Sequence, residues 1–132
     1  VWLEQKKKKV ATRGEIAVRR FYDSIPGDVY QRATESWFLP RRLWHYHKNK
    51  TILDNVPEGS NVLDAGCGSG TIIEKLLSSG KNVYGIDIGE GFIKFTHSKY
   101  GRDNAFFVRG DIQILPFQSN SFYVLYLILK IY

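Results

Sequence analysis

Three glycines and three aspartates in the second half of the sequence have the types and spacing for holding a small ligand. Gly66, Gly68 and Gly70 alternate in the stretch VLDAGCGSG, directly after a short apolar run. Without a Cβ, each lets a ligand reach the main chain or lets φ turn positive. A helix opening at Thr71 would aim its free N–H groups at the same place. Asp64 stands two residues before the first glycine. A carboxylate there repels a pyrophosphate and attracts a cation such as an amino acid's ammonium group. Asp87 follows Gly66 by 21 residues and closes the run NVYGID, with Ile88 beside it. Its two oxygens can accept from both hydroxyls of a ribose. In VRGDI, Asp111 offers an acceptor for a purine's exocyclic amine, and Ile112 a surface for the ring.

Two ligand classes compete for this pattern. A dinucleotide wants G-x-G-x-x-G with its pyrophosphate at the helix N-terminus. The spacing here is G-x-G-x-G, and position 71 is Thr. S-adenosylmethionine carries an ammonium and a sulfonium and no phosphate, so the acidic lining favours it as the cofactor. Each residue also has a plainer reading. The glycines would serve a turn, Asp87 would cap the next helix or suit NAD equally well, and Asp111 would close a turn. Cys67 is counted in the loop lining, with a side chain that reads as small packing. His45, His47 and His97 lack metal-ligand spacing on one face, and no residue has the partners of a catalytic base.

These residues need a scaffold, and the hydrophobic pattern supplies one. NVLDA and KNVYGIDI read as short strands, and NAFFVRGDI and FYVLYLIL as two more. TIIEKLLSS reads as a helix ending at Gly80, and EGFIKFTHSKY as one ending at Gly101. Strands alternating with helices predict an α/β fold with a parallel sheet, and the ligand belongs at the carboxyl ends of its strands. Upstream, residues 10–24, 29–37 and 41–55 read as helices, with Pro40 interrupting and Leu43, Trp44, Tyr46 or His47, and Ile52 or Leu53 turned inward. The segment WHYH is expected to be a partly buried helix face. Residues 1–58 form a basic tail and helical cap, and 59–132 the ligand-binding α/β half of one domain.

VLDAGCGSG, VYGIDI and VRGDIQILPFQSNSF, in this order and at this spacing, resemble the class I S-adenosylmethionine-dependent methyltransferases. The resemblance covers roughly residues 60–125 and is greatest to the small-molecule branch that includes quinone-biosynthesis enzymes. RRFYDSIPGDV resembles that branch's N-terminal cap more loosely. The resemblance implies a Rossmann-like sheet of seven strands in the order 3-2-1-4-5-7-6. It also implies a pocket lined by Asp64, Gly66, Gly68, Asp87, Ile88, Asp111 and Ile112, and methyl transfer to a small-molecule acceptor. Tyr123 stands where the family usually carries Asp, and LILKIY stays apolar where it usually turns polar.

Composition sets the outer limits. The 132 residues suit one domain, and 43% hydrophobic content suits a buried core. Net charge is +6, with twelve Lys and Arg against seven Asp and Glu in residues 1–60, starting from the run Lys6 to Lys9. That half would suit a solvated tail, or RNA through phosphate contacts and stacking on Trp37, Trp44 and Tyr46 near Arg41 and Arg42. Tyr22, Tyr30 and His47 fall in the expected lid. A single cysteine excludes an intrachain disulfide and fits a cytoplasmic setting. No apolar run has the length of a membrane span. With four strands in the sequence, the apolar fourth would form a sheet edge, open to pairing with a second copy. The expectation is an incomplete methyltransferase, with a non-catalytic cofactor-binding fragment or an RNA methyltransferase as alternatives.

Overall fold

A computed structural model describes residues 13–34, 39–102 and 104–127. The Lys6 to Lys9 run, Trp37 and the apolar run past Leu127 lie outside the described residues, as do the side chains of Tyr30 and Arg41. Three helices lead the chain: α1 Arg13–Asp23, α2 Gly27–Thr34 and α3 Leu39–Asn55. The α/β part follows as β1 Asn61–Ala65, α4 Ile73–Ser78, β2 Asn82–Asp87, α5 Glu90–Tyr100, β3 Ala105–Arg109 and β4 Val124–Leu127. Pro40 falls in the first turn of α3, where its missing N–H has no intrahelical partner to lose.

The four strands are parallel in the order β3-β2-β1-β4. This is the expected α/β Rossmann-like sheet, with β4 at one edge of the described strands. In register, Ala65 pairs with both Ile86 and Leu127, and Asp87 with Arg109, so the carboxyl ends of the four strands lie within one residue of level. Alternation along the strands sorts the core onto two faces. Val62 and Val83 join Ile72, Ile73, Leu76, Tyr100 and Val56 beneath the helices. Leu63, Ala65 and Ile86 face Phe117 on the other side. There the covering is aromatic: Tyr84 lies 5.2 Å from Phe122 edge-on and stacks 5.0 Å from Phe106, which stays 46% exposed.

The inward face of α3 differs from the expected one. Leu43, Trp44 and Tyr46 are about half exposed, and His47 is exposed as well. Ile52 and Leu53 turn inward as expected, and His45, Lys48, Asn49 and Val56 join them. Those positions recur every three or four residues and make one helical stripe. Ile52, Leu53 and Val56 reach the core and fix the phase of the helix, which carries Trp44 and Tyr46 outward. The apolar positions Ile16, Val18 and Phe21 of α1 are also exposed, and Tyr22 makes its contact, with its ring 6.0 Å from that of Phe92. No helix among the described residues is long and apolar enough to cross a membrane.

Candidate functional site

The loop after β1 is fastened to the end of β2. Gly66 and Cys67 donate their N–H groups to the Ile86 carbonyl at 2.8 and 3.1 Å. The Gly68 N–H donates to Asp87 Oδ2 at 2.8 Å, and the Gly89 N–H to Asp87 Oδ1 at 2.9 Å. One buried carboxylate therefore sets both the glycine loop and the start of α5. A carboxylate has about four acceptor positions, so these two bonds leave room for two more.

The glycines divide by what surrounds them. Gly66 has φ +80°, and a Cβ built on it would meet nothing within 4 Å. Gly70 has φ +76°, and its Cβ would fall 2.6 Å from Ile73 Cδ1 and 2.9 Å from Tyr100 Cε2. Gly70 is thus fixed by packing, while Gly66 borders open space. The Cys67 side chain is buried and points to the core, 3.1 Å from where a Cβ on Gly85 would stand, so only its main chain serves the loop. Ser69 is 1% exposed, and its Oγ has no hydrogen-bond partner among the described residues. A buried hydroxyl without a partner beside an open cradle fits a polar ligand at this loop.

Asp64 ends up 1% exposed within β1, on the same face as Val62. Lys48 of α3 lies within electrostatic reach of it. Burial pushes the Lys48 ammonium down from its ordinary 10.5 to about 8, and the Asp64 charge opposes that fall. The unfolded chain therefore holds more protons than the folded one between those values. Stability should rise with pH from about 8 to 10.5, relative to a Lys48→Met variant that lacks the titrating group. Urea midpoints of the two proteins across that range check this.

Ile88 is half-buried just beyond Asp87, and its carbonyl accepts from Arg109 Nε at 3.1 Å. Arg109 also pairs with Asp23 of α1 at 2.9 Å and with Glu90 at 2.8 Å. Asp23 in turn accepts from the Glu90 N–H at 2.7 Å, which caps α5 from a distant helix. Salt links to Lys94 and Arg109 hold the exposed Glu90 carboxyl below its usual range. Asp111 lies two residues past β3, where Oδ1 accepts from the Gln113 N–H at 2.9 Å, the turn geometry of its plainer reading. Ile112 is 40% exposed. The strand ends thus bring the glycine loop and Asp87 into direct contact, while the described bonds of Asp111 are local. Ser69, Arg109 and Asp23 stand inside the stretches quoted above but nothing in the sequence marks a role for them, and Lys48 lies outside those stretches. Only the level ends of β2 and β3 bring Arg109 to the site.

Residues 62–131 match the family model of the methyltransferase domain. The chain belongs to this family. Among relatives, an uncharacterized methyltransferase of Geobacillus sp. (strain WCH70) is 43% identical over 58 residues, 44% of this chain and 27% of its own length. A malonyl-[acyl-carrier protein] O-methyltransferase of Erwinia pyrifoliae is 34% identical over 109 residues, 76% of this chain and 41% of its own. The crystal structure of a TehB-like S-adenosylmethionine-dependent methyltransferase from Corynebacterium glutamicum superposes with a TM-score of 0.54 at 28% identity, covering 61% of this chain and 42% of that one. The aligned part of this chain therefore spans about a quarter of the first of these relatives and two fifths of the second. Its fold is the class I S-adenosylmethionine-dependent methyltransferase fold, and S-adenosylmethionine is the cofactor of that class.

Proposed function

We propose that this chain carries the cofactor-binding part of an S-adenosylmethionine-dependent methyltransferase that acts on a small-molecule acceptor. The observation that carries the reading is the Asp87 carboxylate, buried at the end of β2 and bonded to the Gly68 and Gly89 N–H groups. When bound, S-adenosylmethionine supplies a methyl group activated by its sulfonium. The chain's own residues bind and orient it. Gly66 and Gly68 bring bare main chain to the ligand, and Asp87 offers its remaining acceptor positions to the ribose. Asp64 attracts the amino-acid ammonium, and Ile88, Asp111 and Ile112 receive the adenine. Gly70 and Cys67 hold the loop's shape. Residues 59–132 make the binding half and residues 1–58 the cap.

Alignment and exclusion of water are the protein's main tasks for a methyl donor already so reactive. No side chain is assigned as a base. The acceptor side lies with the cap, whose exposed Phe21, Trp44 and Tyr46 suit a flat or partly apolar molecule. The Erwinia relative is named a malonyl-[acyl-carrier protein] O-methyltransferase, which makes malonyl thioesters a first acceptor to try. Calorimetry with S-adenosylhomocysteine and NAD tests the cofactor reading. Binding of the former alone supports it, and binding of NAD alone overturns it. Radiolabel transfer from S-adenosylmethionine to a panel of carboxylates and quinols then separates an enzyme from a cofactor-binding fragment.

A further inference from the structure

The net charge of the chain is concentrated at one end. Residues 1–22 hold seven Lys and Arg against two Glu, a net of +5 out of the chain's +6. Three of those cations, Arg13, Arg19 and Arg20, lie on α1, and all three are exposed. Ala17, Val18, Phe21 and Tyr22 recur along the same helix at intervals of three and four, so they form one stripe. Arg13 and Arg20 border that stripe on one side and Arg19 on the other. The last turn fastens the helix to the fold. There the Tyr22 ring meets that of Phe92 at 6.0 Å, and Asp23 bonds Arg109 and the Glu90 N–H. Ahead of Tyr22 the stripe is open: Ala17 is exposed, Val18 is 49% exposed and Phe21 57%. A helix that served only to pack would turn such a stripe to the core.

An apolar stripe bordered by arginines fits a partner that is apolar beneath and negative at its edge. We propose that α1 docks on the surface of an anionic lipid bilayer, with Val18 and Phe21 toward the acyl chains and Arg13, Arg19 and Arg20 among the phosphates. At eleven residues, about 16 Å, the helix lies along such a surface and does not cross it. The run Lys6 to Lys9, just before α1 in the sequence, adds four cations to the same end. RNA would match the arginines and leave the stripe unused, because Ala17 and Val18 have no ring on which a base could stack. A lipid surface uses both. The stripe ends at Tyr22, whose Cβ lies 3.3 Å from where a Cβ on Gly89 would stand, so docking is made about one helical turn from the candidate site. Phe21, placed above with the acceptor side, is shared by the two surfaces. The docking stands apart from the cofactor reading, because no residue of the glycine loop takes part in it.

The test titrates the full chain with vesicles of phosphatidylcholine, plain or carrying about a third of phosphatidylglycerol, and reads bound protein by flotation. The unaltered chain should bind the anionic vesicles and leave the neutral ones. Arg13→Gln, Arg19→Gln and Arg20→Gln together should weaken binding about tenfold or more. Val18→Gln should weaken it about tenfold although it removes no charge, because a valine is lost from the lipid. Glutamine keeps the helix and these sites are exposed, so both variants should melt in urea with the unaltered chain. Should Val18→Gln melt early, Val18→Ala takes its place, with a smaller loss of the same sign. Binding that falls with the arginines and ignores Val18 would reduce the contact to charge alone and overturn the proposal. So would no binding, equal binding to the neutral vesicles, or binding of a single-stranded RNA in their place.

Discussion

Asp87→Ala is expected to lose both the ligand and much of the fold's reserve. The carboxylate accepts the Gly68 N–H at 2.8 Å and the Gly89 N–H at 2.9 Å, and the residue is 7% exposed. Alanine leaves two N–H groups without their acceptors, each at a cost of about 1–3 kcal/mol. A loss of roughly 3 kcal/mol or more in a urea melt follows. Affinity for S-adenosylhomocysteine should fall about a hundredfold or more, since the ribose partner goes and the loop it sets loosens. Asp87→Asn sharpens the test. It keeps the volume and one acceptor, but its amide group turns a donor toward one of the two N–H groups. It should sit between the parent and alanine in stability. An unchanged urea midpoint for Asp87→Ala would show that the loop does not depend on this carboxylate.

Gly66→Ala and Gly70→Ala should fail in different ways. Both positions have positive φ, so an alanine costs about 1–2 kcal/mol of backbone strain in either. At Gly66 nothing else is added, because the new methyl group meets no atom within 4 Å. Its volume is taken from the ligand's space, so binding of S-adenosylhomocysteine should be lost from a protein that still folds. At Gly70 the methyl group runs into Ile73 and Tyr100, at 2.6 and 2.9 Å. Those side chains are 0% and 2% exposed and cannot swing away. Overpacking adds about 1–3 kcal/mol, and Gly70→Ala should melt well below Gly66→Ala. Equal melting of the two variants, or retained binding by Gly66→Ala, would contradict the division between a packed glycine and an open one.

Much of the scaffold was legible because it obeys two periods. Alternation in NVLDA and NVYGID separates Val62 and Val83 from Leu63 and Ile86, and these pairs do go to opposite faces. The glycine spacing announced the loop, and 21 residues of chain sufficed to return Asp87 to it. The helical cap was read less well. Hydrophobicity chose Ile52 or Leu53 correctly for the inside of α3, but it also chose Leu43, Trp44 and Tyr46, which the phase set by Ile52, Leu53 and Val56 carries outward. A helix has one phase, and the end that meets the core decides it for the rest. Lys48 was invisible for a related reason: nothing in WHYHKNK marks one lysine as lying within electrostatic reach of the buried Asp64. Arg109 and Asp23 are 86 residues apart in sequence, and only the folded sheet brings them to 2.9 Å.

The Arg109 junction has a consequence for ionic strength. Its three members, Arg109, Asp23 and Glu90, are between a third and a half exposed, so dissolved ions reach them. At about 0.15 M salt the Debye length is already near 8 Å, and it shortens as salt is added. The Asp87 bonds, made inside the fold, feel little of this. Added salt should therefore slacken the grip of α1 on the strand ends well before it disturbs the glycine loop, so that the cap and the nucleoside cradle respond to the same solution on different scales.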